Sequence, residues 1–165
     1  MRVLKLDIGC DANKKRGFLG VDINAGESVD FVMDVRKLEF QENSIEEVFS
    51  RRCVQHVEDD KKALSEIFRV LMPNGTFTLI VASWNGWLFY RLGLSSSYGE
   101  YKTFHLYWDW KIRNMLKEVG FTVRSLRHIP SVRGIGYDIE VVCKKESDNK
   151  NMVLRSDKIK RTPKA

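Results

Sequence analysis

Asp7, Gly9, Asp11 and Asp22 lie within LKLDIGCDANKKRGFLGVDI, residues 4–23, and are the residues best placed by type and spacing to hold a ligand. A glycine directly after an apolar run lets the backbone bend sharply at the end of a strand. An acid that ends the following run can accept from two hydroxyls at once. A bound pyrophosphate would need GxGxxG at this bend, so that backbone amides approach it and a helix N-terminus faces it. Instead, Gly9 is followed by Cys10, Asp11, Ala12 and Asn13. A carboxylate at position 11, with Asp7 before it and Asp22 across the crevice, repels phosphate in a partly desolvated site, which argues against NAD and FAD.

The same acids suit an adenosine that is cationic and free of phosphate. S-adenosylmethionine carries an ammonium and a sulfonium, a ribose diol that a carboxylate can accept from, and an adenine amino group that needs an acceptor, so it is the expected cofactor. No metal is expected: Cys10, Cys53 and Cys143 are far apart and show no CxxC spacing, which suggests neither a zinc site nor a disulfide framework. Reduced thiols and the lack of a basic-then-apolar leader before the first strand fit a cytoplasmic protein.

Asp7 and Asp22 can share a crevice only if the strands that carry them lie side by side. Period and punctuation predict strands over residues 3–8, 18–23, 28–33 and 45–50. The stretch EDDKKALSEIFRVLMPNG, residues 58–75, predicts a helix with Leu64, Ile67, Phe68 and Leu71 on one stripe, Asp59 or Asp60 as N-cap, and Pro73 and Gly75 as its stop. A buried strand over residues 76–82 follows, then a helix over 109–119 with Ile112, Met115, Leu116 and Val119 facing inward and Gly120 ending it. Strands over 121–128 and 136–144 are joined by IPSVRGI, too short for a helical crossover, so this pair should be antiparallel. The expected fold is α/β: a mostly parallel seven-stranded sheet with an antiparallel last strand and helices on both faces. In such a sheet the ligand sits at the carboxyl ends of the strands where strand order reverses.

The segments LDIGC, GVDI, DVRKLEFQENSIEEVFSRRCVQHV and LSEIFRVLMPNGTFTLIVAS resemble the successive signatures of class I S-adenosylmethionine-dependent methyltransferases, and more narrowly their small type 11 group. The resemblance implies a Rossmann-like methyltransferase fold, here without the N-terminal cover helices, because the first strand begins near Met1. It also implies that Asp7 and Gly9 hold the methionine end with Cys10 among the cofactor-binding residues, that Asp22 takes the ribose hydroxyls with Ile23 on the adenine, and that Asp34 and Val35 meet the adenine edge. Ser50 and Arg51 would line the methionine side. Three features depart from the pattern: Asp11 replaces a second glycine, the first crossover is too short for a full helix, and MPNG stands for KPGG.

Residues 84–110 hold ten of the chain's 18 aromatic residues and precede the late helix. They are expected to form a lid and substrate wall, with Trp84, Trp87, Tyr90, Tyr98 and Tyr101 as substrate contacts. An aromatic satellite core or a dimer interface is the other reading of this segment. His56 and His105 are the candidate bases for an oxygen acceptor. One of Arg51 and Arg52 is a candidate partner for an anionic acceptor group.

The formal charge of +6 divides unevenly, because residues 144–165 hold eight Lys or Arg against Glu146, Asp148 and Asp157. The expected organisation is thus one domain over residues 1–144 and a basic tail over 145–165, with nucleic acid a partner through the tail only. No membrane partner is expected, since no apolar run approaches about 18 residues. The expected function is methyl transfer to a small-molecule or sugar-like acceptor. The alternatives are RNA or protein methylation using the tail, or a non-catalytic cofactor-binding subunit.

Overall fold

The computed structural model describes residues 4–92, 102–131 and 135–147, apart from the side chains of residues 86, 87 and 90. Seven strands, β1 (Leu4–Ile8), β2 (Leu19–Asp22), β3 (Phe31–Val32), β4 (Ile45–Arg51), β5 (Leu71–Ala82), β6 (Thr122–Pro130) and β7 (Tyr137–Lys144), form one sheet in the order β3-β2-β1-β4-β5-β7-β6. Strands β1 to β5 pair in parallel, whereas β7 runs antiparallel to both β5 and β6, as the short connection requires. Strand order reverses between β1 and β4, so their carboxyl ends open a crevice flanked by the end of β2.

Helix α1 (Asp60–Val70) is capped by Asp59, whose carboxylate accepts from the Lys62 amide at 2.9 Å. Its buried stripe of Ala63, Leu64, Ile67 and Val70 packs on the sheet. The helix ends earlier than its stripe suggests. Pro73 disfavours helical backbone at Met72, and Leu71 is already extended and paired with Ile45, so β5 starts there. Helix α3 (Asp109–Val119) forms over the predicted residues and ends in left-handed Gly120. The third strand shrinks from the predicted six residues to Phe31–Val32, because the Asp30 carboxylate leaves the strand pattern to accept from the Gly20 amide at 2.6 Å. Helix α2 (Trp84–Arg91) was not predicted.

The expected helical cover is uneven. Right-handed crossovers from β4 to β5 and from β1 to β2 travel in opposite directions along the sheet and so pass over opposite faces. Helix α1 fills the first, with α3 packed beside it. The connection from β3 to β4 lies against α1, where Arg69 donates to the carbonyls of Leu38 at 2.7 Å and Phe40 at 2.9 Å. The β1–β2 and β2–β3 crossovers contain no helix. Their face accordingly carries Lys5, Glu47, Thr76 and Thr78 rather than an aliphatic run, with Lys15 lying over Phe18 and Phe49.

The folded body extends past residue 144. Lys145 Nζ donates to the carbonyl of Phe68 at 2.8 Å and to Asn43 Oδ1 at 2.7 Å, at the C-terminal end of α1, where a cation is favoured. Lys145→Ala should therefore cost about 1 kcal/mol, read as a lower urea midpoint, with Lys145→Met recovering only the packing over Phe68. A midpoint unchanged in the alanine variant would show that this contact contributes nothing.

Candidate functional site

The crevice at the ends of β1, β2 and β4 has a volume of about 530 Å3, suited to a ligand of nucleoside size. Its floor is the bend after β1. Gly9 has φ of 72°, and a Cβ there would lie 2.3 Å from the Cβ of Cys53, so only glycine lets β1 pass this close to the turn that follows β4. The Gly9 amide donates to the Val21 carbonyl at 2.8 Å, holding the bend against β2. Asp11 stands at φ of 47°, the conformation a glycine would adopt in its place, which aspartate tolerates better than most residues. The missing glycine thus changes the charge of the loop and not its course.

Asp7 is only 2% exposed and accepts from the Lys15 amide at 2.7 Å. Burial raises its pKa, opposed by that hydrogen bond and by the charges of Arg51, Lys15 and Lys14. Asp22 ends β2 with one carboxylate oxygen accepting from the Asn24 amide at 3.0 Å and the other from the Asp11 amide at 3.1 Å. These bonds aim the carboxylate and leave lone pairs for a ligand. Beside it Ile23 is 62% exposed and lines the crevice, an apolar surface bare of protein. Asp34 and Val35 line the same wall, but the Asp34 carboxylate is forked by Arg36 at 2.6 and 3.0 Å, which lowers its pKa. An adenine amino group would share that carboxylate with a guanidinium.

Cys10 turns its thiol towards Gly20 and the Ser28 carbonyl, and burial together with Asp7 and Asp22 pushes it up to about 11. Cys53 is raised to about 12, by burial first and then by Asp22. Neither is a nucleophile at neutral pH. Ser50, expected to line the methionine side, is instead fully buried on the α1 face beside Ile8 and Leu79, because strand alternation sends it away from Phe49 and Arg51. Arg51 points to the crevice. Arg52, its neighbour, is forked onto buried Asp138 at 2.7 and 2.9 Å and reaches Ser131, tying β4 to β7.

Of the two candidate bases, His56 lines the crevice and His105 does not. The Ala82 amide donates to Gln55 Oε1 at 2.7 Å, which orients the fully buried amide so that Nε2 donates to His56 Nε2 at 3.3 Å. His56 Nδ1 in turn donates to the Lys102 carbonyl at 3.0 Å. Both ring nitrogens are thereby engaged. His105 sits behind the crevice, donating to the Glu58 carbonyl at 2.9 Å beside Asp60, which accepts from Tyr107 at 2.9 Å. Its expected role as a base therefore has no geometric support.

The aromatic segment meets the crevice at an unexpected residue. Phe104, 39% exposed, lines it, fixed by its amide on the Gln55 carbonyl at 3.0 Å. Trp84 begins α2 outside the lining, the side chains of Trp87 and Tyr90 and all of Tyr98 and Tyr101 lie outside the described residues, and so does most of the 145–165 segment. Phe104 and Arg36 were missed because their neighbours in sequence gave no reason to prefer them over other aromatics and cations nearby. Among the described residues no group of three His, Cys, Asp or Glu is placed to hold a metal, and no helix is long and apolar enough to cross a membrane.

Residues 6–79 match the model of a methyltransferase domain family. Over 88 residues, 53% of the chain, it is 30% identical to phosphoethanolamine N-methyltransferase 2 of Caenorhabditis elegans, and it spans only 18% of that relative's length. In fold it is similar to an S-adenosylmethionine-dependent methyltransferase of Methanosarcina mazei, with a TM-score of 0.67, 18% identity, and 86% and 92% of the two chains covered. It is also similar to phosphoethanolamine N-methyltransferase 2 of Haemonchus contortus, solved with phosphomonomethylethanolamine and S-adenosylhomocysteine, with a TM-score of 0.64, 17% identity, and 89% and 50% covered.

Proposed function

We propose that the chain is a class I S-adenosylmethionine-dependent methyltransferase, a reading supported by the methyltransferase domain model matched over residues 6–79 and by its fold, and that its crevice binds S-adenosylmethionine for methyl transfer to a small acceptor bearing an anionic group. The observation that carries the cofactor reading is the pairing of the Asp22 carboxylate with bare Ile23 at the end of β2: one offers acceptors for a ribose diol, the other a flat apolar contact for adenine. Gly9 supplies the close backbone approach, and buried Asp7 lies beneath it for the ammonium. Bound there, the sulfonium would supply an activated methyl group. The chain's own part is alignment and exclusion of water, with no covalent nucleophile.

Arg51 supports the anionic acceptor. It faces the crevice while Arg36 and Arg52 are committed to Asp34 and Asp138, and the similar protein of Haemonchus contortus holds a phosphorylated amine. An amine acceptor would suit a site in which His56 is already hydrogen-bonded on both nitrogens, because a nitrogen acceptor needs less help from a base than an oxygen does. Calorimetric titration with S-adenosylmethionine, S-adenosylhomocysteine and NAD tests the cofactor: the first two should bind and the third should not. NAD binding, or silence from all three, would overturn the reading. Phosphorylated and neutral amines, screened by release of S-adenosylhomocysteine, then test the acceptor. Arg51→Gln should raise KM for an anionic acceptor and leave that for a neutral one unchanged.

A further inference from the structure

Resting on that reading of the crevice, we propose that Asp11 is a specificity-determining residue that discriminates between the charged cofactor and its spent form, its carboxylate favouring S-adenosylmethionine over S-adenosylhomocysteine. The two molecules share adenosine, ammonium and carboxylate. They differ by one methyl group and one positive charge at sulfur, so the ratio of their affinities reports chiefly the electrostatic field at that atom.

The lining of the crevice is negative on balance. Among the described charged residues lining the crevice, Arg36 is forked onto Asp34 and Arg52 onto Asp138, which leaves Asp7, Asp11, Asp22 and Glu58 facing Arg51. Lys14 and Lys15 of the β1–β2 loop do not line the crevice, being paired with Asp30 and Glu47, and their charges act on buried Asp7 beneath it.

Asp11 is the acid whose placement is least expected and most free to act. Its backbone takes the left-handed conformation of a glycine, and its amide is bonded to Asp22 at 3.1 Å, which anchors it beside the carboxylate assigned to the ribose. Its side chain is exposed and is acceptor to none of the hydrogen bonds described, so the charge is available to the crevice. A glycine at this position would cost less backbone strain and would carry no charge. Once the methyl group leaves, the C–S bonding pair stays on sulfur, the positive charge is gone and this attraction with it. The Asp11 charge therefore favours retention of the substrate and not of the product.

The test compares Asp11→Asn, which keeps both the shape and the tolerance for left-handed backbone, with wild type by calorimetry. A single exposed charge acting across a solvent-facing site is worth roughly threefold to fivefold in affinity. The preference for S-adenosylmethionine over S-adenosylhomocysteine should fall by that factor, with the loss borne by S-adenosylmethionine. The amine isostere, in which a carbon-borne ammonium replaces the sulfonium, should follow S-adenosylmethionine, and added salt should shrink the preference more in wild type than in the variant. Asp11→Gly should behave as Asp11→Asn does. If both ligands weaken by one common factor, or neither changes, Asp11 acts through loop shape or not at all and this proposal fails alone. If wild type binds neither ligand, the functional reading fails and this one with it.

Discussion

Asp22→Ala will weaken S-adenosylmethionine binding by about 100-fold. Each hydrogen bond from a ribose hydroxyl to a carboxylate is worth about 1.5–3 kcal/mol, and two of them, discounted for the half-exposed position of Asp22, amount to roughly 2.7 kcal/mol. The alanine variant also releases the Asp11 and Asn24 amides that the carboxylate now holds, so the loop loses the order that made the site ready. Asp22→Asn retains one carbonyl oxygen in nearly the same place and should lose only about tenfold. Calorimetry at constant salt measures both variants, with a denaturation curve to show that each is folded. Binding by the alanine variant within threefold of wild type would remove Asp22 from the ribose site.

A second large effect is expected at the bend. Gly9→Ala should lower stability by about 3 kcal/mol, because the new methyl group would lie 2.3 Å from the Cβ and 2.7 Å from the sulfur of Cys53 and φ would remain at 72°. In a chain of this size that corresponds to a melting temperature lower by roughly 10 °C. The clash and the backbone strain can be separated. In Gly9→Ala combined with Cys53→Gly the steric part is relieved, so the double variant should be more stable than the sum of the single effects predicts. Strict additivity would show that the strand and the turn do not approach as closely as described. Cofactor binding should fall in the single variant even where it remains folded, since the bend is the floor of the crevice.

What was legible beforehand was whatever depends on local period and on strand ends. Helix α3 formed over the residues its apolar stripe marked, since Ile112, Met115 and Leu116 are all buried and Gly120 stops it. Helix α1 ended sooner than its stripe suggested, because Leu71 serves equally well as a helix position or as a strand partner of Ile45, and Pro73 decides for the strand. The antiparallel pairing of β6 and β7 followed from connection length alone. Side-chain commitments were not legible. Arg51 and Arg52 are adjacent and alike in sequence, yet one faces the crevice while the other is bound to Asp138, 86 residues away.

By itself, the order of residues determined that three acids and one glycine would gather at the carboxyl ends of neighbouring strands, because strand register and the position of a bend are local properties. Only the tertiary structure decided which of those charges remain available. It engaged His56 on both nitrogens, withdrew His105 and Ser50, gave Asp34 to Arg36 and left Asp11 exposed at the crevice. A polar group's hydrogen-bond partners are set by whatever the fold brings within about 3 Å, and those neighbours are drawn mostly from distant parts of the chain.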